Sequence, residues 1–193
     1  MTVESVKLAT LQWWREARSN RLFWMAIIVA ILVACLDQAS KIIIVHVVDL
    51  PGRAVPCARA PAYLCAQIPV APIFDLTFVK NYGASFGMLA GGLASRIFLS
   101  LLSITIVIGL GVWLGGLHRR VAASGVGFIL GGALGNLYDR IAYGYVVDFL
   151  DFSGLYFPWV FNVADAAINV GVGLLLLDAW LTREKGAPNA SNG

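Results

Sequence analysis

The sequence predicts an all-α membrane protein of four transmembrane helices carrying a small extracytoplasmic β-rich subdomain. Three observations lead there. Apolar residues make up 59% of the 193 and charged ones only 13%, whereas about a quarter of a soluble domain is charged. Four apolar runs, at about 22–48, 97–117, 122–137 and 162–181, are near the length a helix needs to cross roughly 30 Å of hydrocarbon, the third at the short end. The connection 49–94 is different: Pro51, Pro56, Pro61, Pro69 and Pro72 break helices, and Phe74, Leu76 and Phe78 alternate with Asp75, Thr77 and Val79 as a strand would.

Taken in order, residues 1–21 are an extension bearing Lys7, Arg15, Arg18 and Arg21 against Glu4 and Glu16, with Trp13 and Trp14 suited to a membrane surface. A short interfacial helix and a disordered tail with a basic flank both satisfy this pattern. The first apolar run is too long for a secretory signal core and contains Asp37 and Lys41. These stand at i and i+4 on one helix face, toward the far end of the span, and can pair. The outer loop holds Cys57 and Cys65; a disulfide and two free thiols are both open. Run three is rich in glycine (Gly125, Gly127, Gly131, Gly132, Gly135), which suits close helix packing.

Charge sets the expected topology. The basic N-terminal flank, His118-Arg119-Arg120 between runs two and three, and Arg183 with Lys185 after run four all belong in the cytoplasm by the positive-inside rule. Both termini are then inside, the tail 183–193 included, while 49–94 and 139–160 face outward from a membrane domain spanning 22–182. Trp24, Trp113 and Trp180 fall near the inner interface and Trp159 near the outer one. The net charge of +3 reports on topology; no RNA- or DNA-binding pattern is present, so nucleic acid is not an expected partner. With no CxxC or HExxH and only His46 and His118 as histidines, a metal site has little support, and no cofactor is expected.

The stretch 131–165 organises the chain. Between two apolar runs it carries Asn136, Asp139, Arg140, Asp148, Asp151, Asn162 and Asp165, and ionisable side chains at membrane depth default to a functional site. The topology brings Asp37 and Lys41, Asn136 and Arg140, Asp148 and Asp165 to one depth near the outer face. Gly132, Asn136 and Arg140 repeat at i+4, making one slim, polar helix face. Asn162 is placed both to cap the fourth helix and to hold Asp165, three residues on. Asp139 reads as a partner of its neighbour Arg140, and Asp75 and Asp151 as solvated loop residues. Asp148 sits in a β-branched and aromatic run that reads as an edge of the outer domain.

Two carboxylates held together share a proton, so one can activate water while the other donates to a scissile carbonyl. The segments DQASK (37–41), NYGASFG (81–87), GGALGNLYDR (131–140), GYVVDF (144–149) and FNVADAAI (161–168) together resemble, in order and spacing, the motif set of prolipoprotein signal peptidase, or signal peptidase II. The resemblance covers about 22–182. It implies a bacterial inner-membrane aspartic peptidase that cuts prolipoproteins before a diacylglyceryl-modified cysteine, with lipid-modified prolipoproteins and the phospholipid bilayer as its partners. It further implies that Asp148 and Asp165 are catalytic and that Asp37, Lys41, Asn81, Gly83, Gly132, Asn136, Arg140 and Asn162 shape or support the site. Ala166 stands where a serine is common in the family. Two rivals remain in view: a serine hydrolase using Ser85, because Gly83–Gly87 matches GxSxG, and a non-enzymatic lipid-binding membrane protein.

Overall fold

The computed structural model describes residues 2–56, 64–83 and 92–185. Cys57 and Ser85 lie outside them, and with Cys57 the choice between a disulfide and two free thiols. The described residues form five α-helices: α1 Val3–Ser19, α2 Arg21–Ile42, α3 Leu93–Leu114, α4 Arg120–Ala142 and α5 Val163–Lys185. α2 runs on through a π-helical turn, Ile43–Val47. Four of these segments are long and apolar enough to cross a membrane: Arg21–Val47, Leu93–Leu114, Arg120–Ala142 and Val163–Arg183. The predicted third run was too short because Arg120, Asp139 and Arg140 at its ends break the apolar pattern while remaining helical.

α4 is the centre of the bundle. Its most apolar stretch is 67% buried, against 11% for α3. Glycine and alanine make this possible, since small residues let backbones approach where lipid tails remove the usual drive for burial. A Cβ on Gly131 would stand 2.6 Å from the Ala30 carbonyl of α2, and one on Gly132 would collide with the Ala164 carbonyl of α5. The two neighbouring glycines thus admit helices on opposite sides. Gly131→Val is therefore expected to push α2 off α4 and cost about 1–3 kcal/mol, the usual range for overpacking, read as a lowered Tm in detergent.

α2 meets α4 through a stripe of Phe23, Ala26, Ala30, Val33, Asp37 and Lys41, all buried. The spacing is that of one helix face. The stripe is apolar along most of its length and turns ionic over its last two members. The bundle therefore has a dry end, packed around Ala26, Leu114, Ala123 and Val126, and a polar end.

Above the polar end lies a five-stranded antiparallel sheet in the order β1–β2–β3–β4–β5. The strands are β1 Ala54–Pro56, β2 Leu64–Ala71, β3 Phe74–Asn81, β4 Val146–Asp151 and β5 Val160–Phe161. The alternation over 74–79 becomes β3. β2 escaped the sequence reading because Pro69 interrupts it; the ladder accommodates this with a register shift between Pro69 and Ala71. Val147 and Phe149 pack with Ile44, Leu50 and Ala66 in the subdomain's own apolar core. By the period of two, Asp148 points to the other face. Within the sheet, β4 has β3 on one side, and on the other β5 covers Leu150 and Asp151.

Candidate active site

The site is built where α5 begins. Asn162 precedes the first turn, and its Oδ1 accepts from the Asp165 backbone N–H at 2.9 Å. Asp165 answers with Oδ2, which accepts from the Asn162 N–H at 3.4 Å. This reciprocal capping box satisfies two backbone donors at the helix start and locks Asp165 in one rotamer. A further first-turn donor, the Ala164 N–H, goes to Asp37 Oδ1 of α2 at 2.9 Å, a buried carboxylate placed where the helix dipole favours negative charge.

The cap also reaches across to the sheet. Asn162 Nδ2 donates to Asp148 Oδ1 at 2.6 Å and to Asn136 Oδ1 at 3.1 Å. Asp148 Oδ2 accepts from Asn81 Nδ2 at 2.9 Å. Asn81 is oriented in turn, its Oδ1 accepting from the Gly83 N–H at 3.0 Å. On α4, Asn136 Nδ2 donates to Asp165 Oδ1 at 2.7 Å. Asn162 is thus both cap and bridge, and a single side chain is bonded to Asp148 and Asp165. The Arg140 guanidinium brings positive charge to both carboxylates, and its Nη1 donates to the Asn136 carbonyl at 3.3 Å. Burial, and after it the charge of Asp165, pushes the Asp148 carboxyl up to about 7; the Asn81 and Asn162 hydrogen bonds oppose the rise.

Beneath this lies an ionic layer. Lys41 Nζ stands 2.7 Å from Asp37 Oδ2 and 2.8 Å from Asp139 Oδ2, and 3.4 Å from Asn136 Oδ1. Gln38 Nε2 donates to Asp37, Asp139 and the Gly135 carbonyl at 3.1, 2.9 and 3.2 Å. Asp139 also accepts from the Val147 N–H at 3.1 Å, which ties the strand bearing Asp148 to α4. Among the described residues no buried side-chain nitrogen or oxygen lacks a partner, as a polar network must achieve to be stable in apolar surroundings.

All ten residues singled out from the sequence therefore converge: Asp148, Asp165, Asn81, Asn136, Asn162 and Arg140 at the carboxylates, Asp37 and Lys41 below, Gly83 where its N–H orients Asn81, and Gly132 where the α5 backbone approaches. Two readings are corrected. Asp139 pairs with Lys41 rather than Arg140, because adjacent residues on a helix point apart. Asp151 is buried on β4, where it accepts from Thr77 Oγ1 at 2.8 Å and the Ser153 N–H at 2.9 Å. Gln38 was overlooked; its only signal was a neutral polar residue between two charged ones in an apolar run. The described residues hold no cluster of three or more metal-ligating side chains. His46, the histidine a Ser85 nucleophile would need, is exposed beyond α2.

A cavity of about 230 Å³ opens beside Asp165, bounded by Asn81 and Arg140 at its polar end and by Leu102 and Ile106 of α3 and Ile168 of α5 along its apolar walls.

The chain is similar to known proteins in sequence and in fold. The model of the family described as signal peptidase (SPase) II matches residues 29–181. The lipoprotein signal peptidase of Caulobacter vibrioides is 48% identical over 162 residues, covering 83% of this chain and 89% of that one. The lipoprotein signal peptidase of Brevibacillus brevis is 40% identical over 164 residues, covering 84% and 98%. A solved bacterial membrane enzyme, determined by the in meso method at 2.3 Å, superposes with a TM-score of 0.70 at 25% identity, over 88% of this chain and 96% of that one.

Proposed function

Because the chain belongs to the signal peptidase II family, a family of multi-pass membrane peptidases that process lipoproteins, we propose that it works as an aspartic endopeptidase with Asp148 and Asp165 as its catalytic pair. The substrate is a bacterial prolipoprotein carrying diacylglycerol on the cysteine that follows the scissile bond. The observation that carries the reading is the Asn162 bridge: its buried side-chain amide donates to the Asp148 carboxylate and accepts from the Asp165 backbone N–H, while the Asp165 carboxylate accepts from the Asn162 N–H. With the Asp148 carboxyl raised to about 7, the two acids hold one proton between them at neutral pH in this reading.

The chemistry follows from that shared proton. The ionised carboxyl takes a proton from water, whose oxygen attacks the peptide carbonyl carbon. The protonated carboxyl donates to the carbonyl oxygen. Collapse of the resulting gem-diol moves a proton to the amide nitrogen and breaks the C–N bond. No acyl-enzyme forms. Arg140 supplies positive charge beside the pair, and Asn81, Asn136 and Asn162 hold each carboxylate by charge-assisted hydrogen bonds. The cavity between α3 and α5 suits an extended signal segment near Asp165 and apolar chains along Leu102, Ile106 and Ile168. Positive-inside logic supports a cytoplasmic-membrane protein with both termini inside and this site toward the outer face.

The pair also predicts a pH profile. Loss of the shared proton removes the donor, so kcat/KM is expected to fall as pH rises through about 7. Asn81 stabilises the charged form of Asp148, so Asn81→Ala should raise that carboxyl further and move the alkaline limb to higher pH. Rate profiles of both proteins on a synthetic lipopeptide test this; a limb that stays in place, or moves down, refutes the Asn81 role.

A further inference from the structure

Residues 3–19 form a full helix that no span accounts for. α1 stops at Ser19, and Asn20 adopts an extended backbone that breaks it from α2. Asn20 fixes the corner: its Nδ2 donates to the Leu117 carbonyl beyond α3 at 2.8 Å, and its Oδ1 caps α2 at the Leu22 N–H. α1 then lies across the dry end of the bundle. Trp13 Nε1 donates to the Val112 carbonyl at 3.0 Å, its indole covers Gly115, and Ala17 is fully buried.

The apolar stripe of α1 does not end where the bundle ends. Val3, Val6, Trp13, Trp14 and Ala17 recur at helical spacing on one side. Trp13 and Ala17 rest on protein, but Val6 is 50% and Val3 88% exposed. The same stripe therefore continues past the bundle with no described residue covering Val3. Its depth is set by Trp13, which sits at the end of the membrane span α3. Trp24 and Trp113 are also exposed near this end, as side chains at the headgroup level are. Lys7, Arg15 and Arg18 on α1 are exposed, with Arg119 and Arg120 at the nearby start of α4.

We propose that α1 is an in-plane anchor that lays its N-terminal half on the bilayer its own spans cross, with Val3 and Val6 among the acyl chains and Lys7, Arg15 and Arg18 on anionic phospholipid headgroups. An amphipathic helix edged by basic residues binds a membrane surface in this way, and each cation near an anionic leaflet strengthens the hold.

The test uses the full chain in nanodiscs of phosphatidylcholine alone or with phosphatidylglycerol. A nitroxide is placed by Val6→Cys or, on the polar side, by Gln12→Cys. The background has Cys35, Cys57 and Cys65 changed to serine and is checked for retained cleavage activity. Collision with oxygen, relative to a water-soluble nickel chelate, is expected to be several-fold higher at position 6 than at 12. The difference should shrink in phosphatidylcholine alone and on changing Lys7, Arg15 and Arg18 to glutamine. Equal accessibility at both positions, or a position-6 label shielded from both reagents as in a protein contact, would overturn the proposal. Lipid immersion that ignores phosphatidylglycerol and the three cations would overturn its electrostatic half.

Discussion

Lys41→Met is expected to leave a folded but markedly destabilised protein. Asp37 and Asp139 are both fully buried, and both take the same ammonium, at 2.7 and 2.8 Å. Removing one partner of a buried ion pair typically costs about 3–5 kcal/mol, because the remaining charge stays in the interior unpaired. Here two carboxylates are left. They also hold two structural joints: Asp37 caps the start of α5 through Ala164, and Asp139 holds β4 through Val147. Loss of Lys41 thus loosens both elements that carry the proposed catalytic pair. For a chain of this length the cost corresponds to a Tm lower by roughly 10 °C. Adding Asp37→Asn and Asp139→Asn to Lys41→Met removes the uncompensated charge and should recover much of that loss. Lys41→Met melting like wild type in the same detergent would contradict the ionic layer as described.

Asp148→Asn is expected to do the opposite: turnover drops by at least about 10³-fold while stability is kept or improved. The Asp148 carboxyl lies at about 7, above its ordinary 3.8. The folded state therefore binds this proton more tightly than the unfolded chain. The stabilising contribution is fully present below about 4 and is lost as pH rises through about 7, where the buried group must ionise. Asparagine is neutral at every pH and keeps an oxygen for one of the two amide donors. The variant should lose the fall in Tm that wild type shows between pH 5 and 8 on account of this group. An inactive variant that also melted far below wild type would point to a structural role.

Much of this was readable before any coordinates. Hydropathy marked the spans, because a helix in lipid must be apolar over its whole length, and the i, i+4 spacing of Asp37 and Lys41 foretold their bond. The convergence of polar groups on one depth followed from topology alone. What could not be read was direction. Asp139 and Arg140 are neighbours in the chain, yet helix geometry sends Asp139 toward α2. Asp151 looked solvated because its partner Thr77 sits on a strand far away in sequence. The dual bonding of Asn162, half cap and half bridge, depends on where β4 crosses the start of α5, a tertiary placement that no local pattern encodes.

If Asp148 and Asp165 act as one unit, single-turnover cleavage of a diacylglyceryl-modified prolipoprotein shows it. Wild type, Asp148→Asn, Asp165→Asn and the double variant are compared at pH 6.5, each first shown to be folded by its melting curve. The pair predicts that both single variants fall to the residual rate of the double variant, since residues that act together do not lose activity additively. A folded single variant that releases signal peptide at a rate near wild type would contradict the claim.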